Sequence, residues 1–208
     1  EPQNPMTFLF TLMTWILQNY IEILGAVTGL TFLYLEIKQN IWLWPLGIAT
    51  SAFYIYIFFA SKFYADMGLQ FYYLAISFYG WYKWLVGRQI KEDSEPLRVV
   101  NITREHILWL TLISLGLFGL LVFILVHFTD SPVPYGDAFT TALSIVATWM
   151  LAHKILQMWW VWMVVNSVSL LLYVYKGLYP TSVLFLFYFS MSIVGYIQWK
   201  QSMMMARE

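Results

Sequence analysis

The polar side chains inside the long apolar stretches are few, and they recur at helical spacing. Asn166 shares a helical face with Trp159, Trp162, Ser169 and Tyr173; Gln70 shares one with Asp66, Tyr73 and Ser77; Trp44, Ser51 and Tyr54 share a third. An amide donates and accepts at once, and an indole face stacks on planar rings and attracts cations, worth roughly 0.5–2 kcal/mol per contact. If these faces meet, they form a pocket suited to a neutral or cationic aromatic ring bearing hydroxyl groups. A phosphate suits it poorly, because no Lys or Arg falls within an apolar stretch. The candidate binding residues are therefore Trp44, Ser51, Gln70, Tyr73, Trp159, Trp162, Asn166 and Ser169, with Pro45 and Asp66 as candidate hinge or gate positions. Asn166 and Gln70 have a second reading as interhelical hydrogen-bond glue, and Asp66 as a helix N-cap. Trp42, Trp81, Trp84 and Trp199 read as members of interfacial aromatic belts.

No catalytic set is legible. There is no metalloprotease or phosphate-loop motif, and no pair of carboxylates within one stretch. His106, His127 and His153 stand near predicted helix ends without metal-ligand spacing, and cysteine is absent, so neither a metal nor a cofactor is expected. Glu22 is read as the only acid within a span, with Glu36 and Lys38 just past the inner end of the first helix. Ion-coupled carriers keep an acid deep in the membrane, so the expectation is uncoupled, facilitated transport rather than an enzyme or a pump.

The elements that must position these residues are membrane helices. Of 208 residues, 61% are hydrophobic and only 11% charged, whereas soluble domains average about 25% charged. The apolar runs reach bilayer-spanning length, and the formal net charge is zero, which leaves no electrostatic case for nucleic acid. Seven spans are predicted, over about 19–37, 42–60, 66–86, 106–128, 137–152, 157–175 and 180–199, plus a short interfacial helix near the amino terminus. The domain reading is 1–18 interfacial segment, 19–87 first three-helix repeat, 88–136 linker with its helix and outer loop, 137–200 second repeat, and 201–208 tail. Nine of the eleven Lys and Arg residues collect on one side, leaving Lys62 and Lys176 on the other; the positive-inside rule makes the nine cytoplasmic and the amino terminus external.

The repeat shows in paired residues. Gly80-Trp81-Tyr82-Lys83-Trp84 matches Gly195-Tyr196-Ile197-Gln198-Trp199 at an offset of 115, which sets Ser77 on Ser192 and Tyr73 on Tyr188. Farther back, Trp42-Leu43-Trp44 matches Trp160-Val161-Trp162 at an offset of 118. A three-helix unit ends on the side opposite its start, and one further crossing restores the starting side, so three, one and three helices give two parallel repeats.

W-x-W-P-L-G at Trp42–Gly47, Y-A-D-x-x-L-Q at Tyr64–Gln70 and G-W-Y-x-W ending at Trp84, with W-W-V-W before Asn166, resemble the PnuC family of bacterial nicotinamide riboside transporters over about residues 19–200. The resemblance implies a fold related to the SWEET sugar transporters, a homotrimer in the bacterial inner membrane, and uptake of nicotinamide riboside by facilitated diffusion. A cytoplasmic kinase would then phosphorylate the substrate and trap it. It further implies that the pyridinium stacks on Trp159 or Trp162 while ribose and carboxamide bond Asn166 and Gln70. The SWEET relatives carry a proline in each repeat, whereas here Pro45 corresponds to Met163, so the two hinges are unequal. Carriers of thiamine, riboflavin or a sugar, and a membrane sensor that binds without transporting, are the competing readings.

Overall fold

The computed structural model describes residues 13–14, 20–60, 64–89 and 97–206. Among them are seven α-helices and no β-strand: α1 (Tyr20–Ile37), α2 (Leu43–Ala60), α3 (Tyr64–Gln89), α4 (Arg104–Phe128), α5 (Pro134–Ala152), α6 (Met158–Tyr175) and α7 (Tyr179–Met205). The expected amino-terminal interfacial helix lies outside the described residues, apart from Met13 and Thr14.

Three boundaries differ from the sequence reading by three residues or more, because an apolar run marks membrane rather than helix. Arg88 and Gln89 extend α3, and the segment from Lys200 to Met205 extends α7, because these polar and flexible residues are good helix formers. At the start of α5, Pro134 takes the first turn, where its missing N–H costs no bond, so the helix begins before Asp137.

Helices α2, α4 and α6, and the Thr181–Met205 part of α7, are long and apolar enough to cross a membrane. Six of the helices close a ring by packing in the order α1, α2, α3, α5, α6, α7 and back to α1, while α4 packs on α5 from outside. Leu110 is the buried residue of α4, and its other large side chains are mainly exposed or half-buried, as the strut reading requires. Two seams close the ring through side chain to backbone bonds. The Tyr72 hydroxyl donates to the Ile145 carbonyl at 2.7 Å between α3 and α5, and the Trp199 indole N–H donates to the Glu36 carbonyl at 3.0 Å between α7 and α1.

The chain turns identically after α1 and after α5. Gln39 and Lys154 both adopt φ 51°, the left-handed conformation that costs an L-residue about 1–2 kcal/mol. Each terminates its helix with the same hydrogen-bond pattern: Asn40 N–H to Leu35 carbonyl at 2.8 Å in one turn, Ile155 N–H to Met150 carbonyl at 3.0 Å in the other. The two residues then meet, Lys154 Nζ donating to Gln39 Oε1 at 3.1 Å. Before α4, Val100 exchanges backbone bonds with Lys154 and Leu156 at 3.0 and 2.9 Å, which ties the linker to the second turn.

The constant offset of 115 also holds in packing. Trp44 lies edge-on to Trp84 with ring centroids 5.5 Å apart, and Trp159 lies edge-on to Trp199 at 5.7 Å. A β-carbon at Gly80 would run into the Trp44 ring, and one at Gly195 into the Trp159 ring. Trp44 therefore corresponds to Trp159, not to Trp162 as the W-x-W match suggested. Pro45 then corresponds to Trp160 rather than Met163, and Gly47 stands where the second half has Trp162.

Candidate functional site

A cavity of about 320 Å³ runs down the middle of the ring. On α1 it is lined by Gly25, Thr28, Gly29, Phe32, Leu33 and Glu36, whose spacing of three and four residues is one helical face. From Gly25 to Glu36 that face is roughly 16 Å long at 1.5 Å per residue. Trp44, Gly47, Thr50, Ser51 and Tyr54 face it from α2, and Gln70, Tyr73 and Ser77 from α3. The second half supplies Thr148 and Leu151 from α5, Trp159, Trp162 and Asn166 from α6, and Tyr188 and Ser192 from α7.

The two ends differ in chemistry. At the end where α1 and α5 finish, the Trp44 and Trp159 rings are wholly buried over their Trp84 and Trp199 partners. Toward the other end, two glycines let tyrosines approach the α1 backbone: the Tyr54 hydroxyl lies 2.6 Å from a β-carbon placed on Gly25, and Tyr188 crowds Gly29 in the same way. Between them, Asn166 Nδ2 donates to Ser192 Oγ at 3.1 Å, and Ser192 donates to the Tyr188 carbonyl at 2.8 Å. The amide oxygen of Asn166 takes no bond among the described residues, so it is available to a ligand.

Several buried polar atoms at the tryptophan end have no partner among the described residues: the indole N–H groups of Trp44, Trp159 and Trp162, and Oε1 of Glu36. The Trp162 indole lies beside the Glu36 carboxyl but stops short of hydrogen-bonding geometry. Buried groups of this kind are nearly always paired, and an orphan costs on the order of 1–3 kcal/mol. Four in one cavity make it a place where a polar, flat ligand gains bonds that the protein does not make to itself.

Residues 19–201 match the family described as nicotinamide mononucleotide transporters. The chain belongs to that family, the PnuC transporters. It is similar to the nicotinamide riboside transporter PnuC of Escherichia coli strain K12, 23% identical over 88% of this chain and 86% of that one. The PnuC of Neisseria mucosa is 25% identical over 93% of this chain and 75% of its own. The riboflavin/roseoflavin transporter RibM of Streptomyces davaonensis is 22% identical over 86% and 83%. In fold, the chain is similar to the crystal structure of the vitamin B3 transporter PnuC, with a TM-score of 0.69 over 95% of this chain and 89% of that one, at 22% identity. The chain is thus a multi-pass membrane transporter of the PnuC family.

In this PnuC-family chain, seven of the eight candidate binding residues meet at one cavity: Trp44, Ser51, Gln70, Tyr73, Trp159, Trp162 and Asn166. Ser169 is buried but lies off it, one helical turn beyond Asn166. Pro45 sits in the first turn of α2 and does not line the cavity. Asp66 falls in the first turn of α3, with its side chain outside the described residues. The glue reading of Asn166 holds for one of its N–H groups, since Ser192 belongs to the neighbouring helix. Glu36 is the main correction. It is not past the end of its helix but within α1, 3% exposed, and it faces the cavity. Its signal was the register of α1 itself, which puts residue 36 on the face of Gly25, Gly29 and Leu33; the neighbouring Lys38 disguised it as a solvated terminus.

Proposed function

We propose that this transporter carries nicotinamide riboside. The observation that supports it most is the lining: flat indole and phenol rings, amides and hydroxyls, and among the described cavity residues no Lys, Arg or His. A pyridinium ring stacked on Trp159 or Trp162 gains cation–π attraction, and its ribose and carboxamide find the Asn166 oxygen and Gln70. The same lining disfavours the mononucleotide, whose phosphate needs cationic partners or a cluster of backbone N–H groups. The riboside names of the curated relatives agree with it better than the mononucleotide name of the family.

The architecture in this reading is two parallel three-helix repeats, residues 19–87 and 137–200, joined by the linker helix α4. Rocking one repeat against the other alternates access to the cavity, with Asp66 as gate and Pro45 as an unpaired hinge. The amino terminus is external, the basic side cytoplasmic and the membrane the bacterial inner one. Uptake is facilitated diffusion, drawn inward by cytoplasmic phosphorylation of the substrate; because Glu36 is an acid within α1, this reading rests on uptake without a coupling gradient rather than on a lack of in-span acids. For a cation the membrane potential adds about 2.3 kcal/mol per 100 mV. The assembly is a homotrimer, which sedimentation of the detergent-solubilised protein would check.

A second reading, riboflavin, has one observation in its favour, the similarity to RibM. Calorimetric titration with nicotinamide riboside, nicotinamide mononucleotide, riboflavin, thiamine and glucose separates the readings. Saturable binding of the riboside with silence for the mononucleotide is expected. A response to another vitamin instead replaces the substrate, and binding without flux in vesicles would turn the transporter reading into a sensor.

A further inference from the structure

Among the described residues that line the cavity, Glu36 is the single acidic or basic side chain. It is 3% exposed, and its Oε1 has no partner among the described residues. Its own backbone carbonyl is held by Trp199, so the seam between α1 and α7 fixes where the carboxyl stands. A carboxylate removed from water with nothing opposite it is costly, and the cost falls when a cation enters. The indole of Trp162, which a flat ligand would stack on, lies beside it. A positively charged ring on that indole therefore has an attractive face and an anion within the same contact.

The pairing of the two halves makes this charge directional. The residue 115 positions after Glu36 is Leu151, which also lines the cavity. One side of an otherwise related pair is thus acidic and the other aliphatic, at the tryptophan end, while the hydroxyls of Tyr54 and Tyr188 occupy the other end. We infer that Glu36 is the counter-charge that selects a cationic ring and sets its orientation, with the positive ring at the tryptophan end and the sugar toward the tyrosines. This rests on the nicotinamide riboside reading and adds to it the group that distinguishes the oxidised, cationic nucleoside from a neutral ring of the same shape.

The 1,4-dihydropyridine form of the riboside keeps the ribose and carboxamide but has no positive charge, so it is the matched probe. Purified wild-type protein is expected to bind the cationic riboside at least about tenfold more tightly than the dihydro form. Glu36→Gln, close to isosteric, should bring the two affinities to within about threefold of each other, and Glu36→Asp should restore the preference for the cation. Equal affinities in the wild-type protein, or an undiminished preference in Glu36→Gln, would overturn the inference while leaving the substrate reading intact. Wild-type protein that binds neither form would overturn the substrate reading and this inference with it. If Glu36→Gln does not yield folded protein, the same ratio is read in Glu36→Leu, which copies the paired Leu151, and a preference for the cation kept there would overturn the inference.

Discussion

Asn166 and Trp162 illustrate what single residues disclose. An amide in the middle of an apolar stretch is conspicuous because it is expensive there, and its helical neighbours name the face that must be lined. That logic reached the α2, α3 and α6 walls of the cavity from the sequence and missed those of α1, α5 and α7. It failed for Glu36 because hydropathy locates the end of an apolar run, whereas burial depends on which neighbours surround the last turn. It also could not separate Ser169 from Ser51, since both share a face with a known liner and only packing decides which reaches the cavity. Replacing Asn166 by Ala removes an interhelical bond to Ser192 and the free amide oxygen; replacing Trp162 by Ala removes a stacking face. Each is expected to weaken riboside binding by at least about tenfold, about 1.4 kcal/mol, with folded protein retained. Unchanged affinity in calorimetry for both would remove them from the site.

Helix by helix, the sequence was legible where composition changes abruptly and ambiguous where it does not. All seven helices were expected, and their centres agree with the structure. The register between the halves was harder, because the first half has two tryptophans within three residues, the second has three within four, and composition cannot choose between them. Sterics choose: glycine is required where an indole lies on the opposing helix, which pairs Trp44 with Gly80 and Trp159 with Gly195. Gly80→Ala and Gly195→Ala should each destabilise the protein by about 1–3 kcal/mol through overpacking, seen as lowered thermal unfolding midpoints in detergent. Wild-type midpoints in both variants would refute the close helix approach on which the register rests.

At the scale of the molecule, the ring of six helices explains why aromatic and amide faces drawn from distant parts of the chain converge. The ring order itself was not written in any local pattern. It depends on the seams, where Tyr72 meets the Ile145 carbonyl and Trp199 meets the Glu36 carbonyl, and those contacts span 73 and 163 positions. A ring with a central cavity and orphaned polar atoms at one end supports the proposal that the cavity is where this PnuC-family transporter binds its substrate. A transporter differs from a binding protein in moving its substrate across the membrane.

The most direct measurement is therefore uptake of labelled nicotinamide riboside into proteoliposomes containing the purified protein, with no sodium or proton gradient and with protein-free vesicles alongside. Saturable entry above the protein-free background is expected, with acceleration by unlabelled riboside preloaded inside and faster entry when the interior is made negative. Saturable binding to the protein with no entry above background would contradict it.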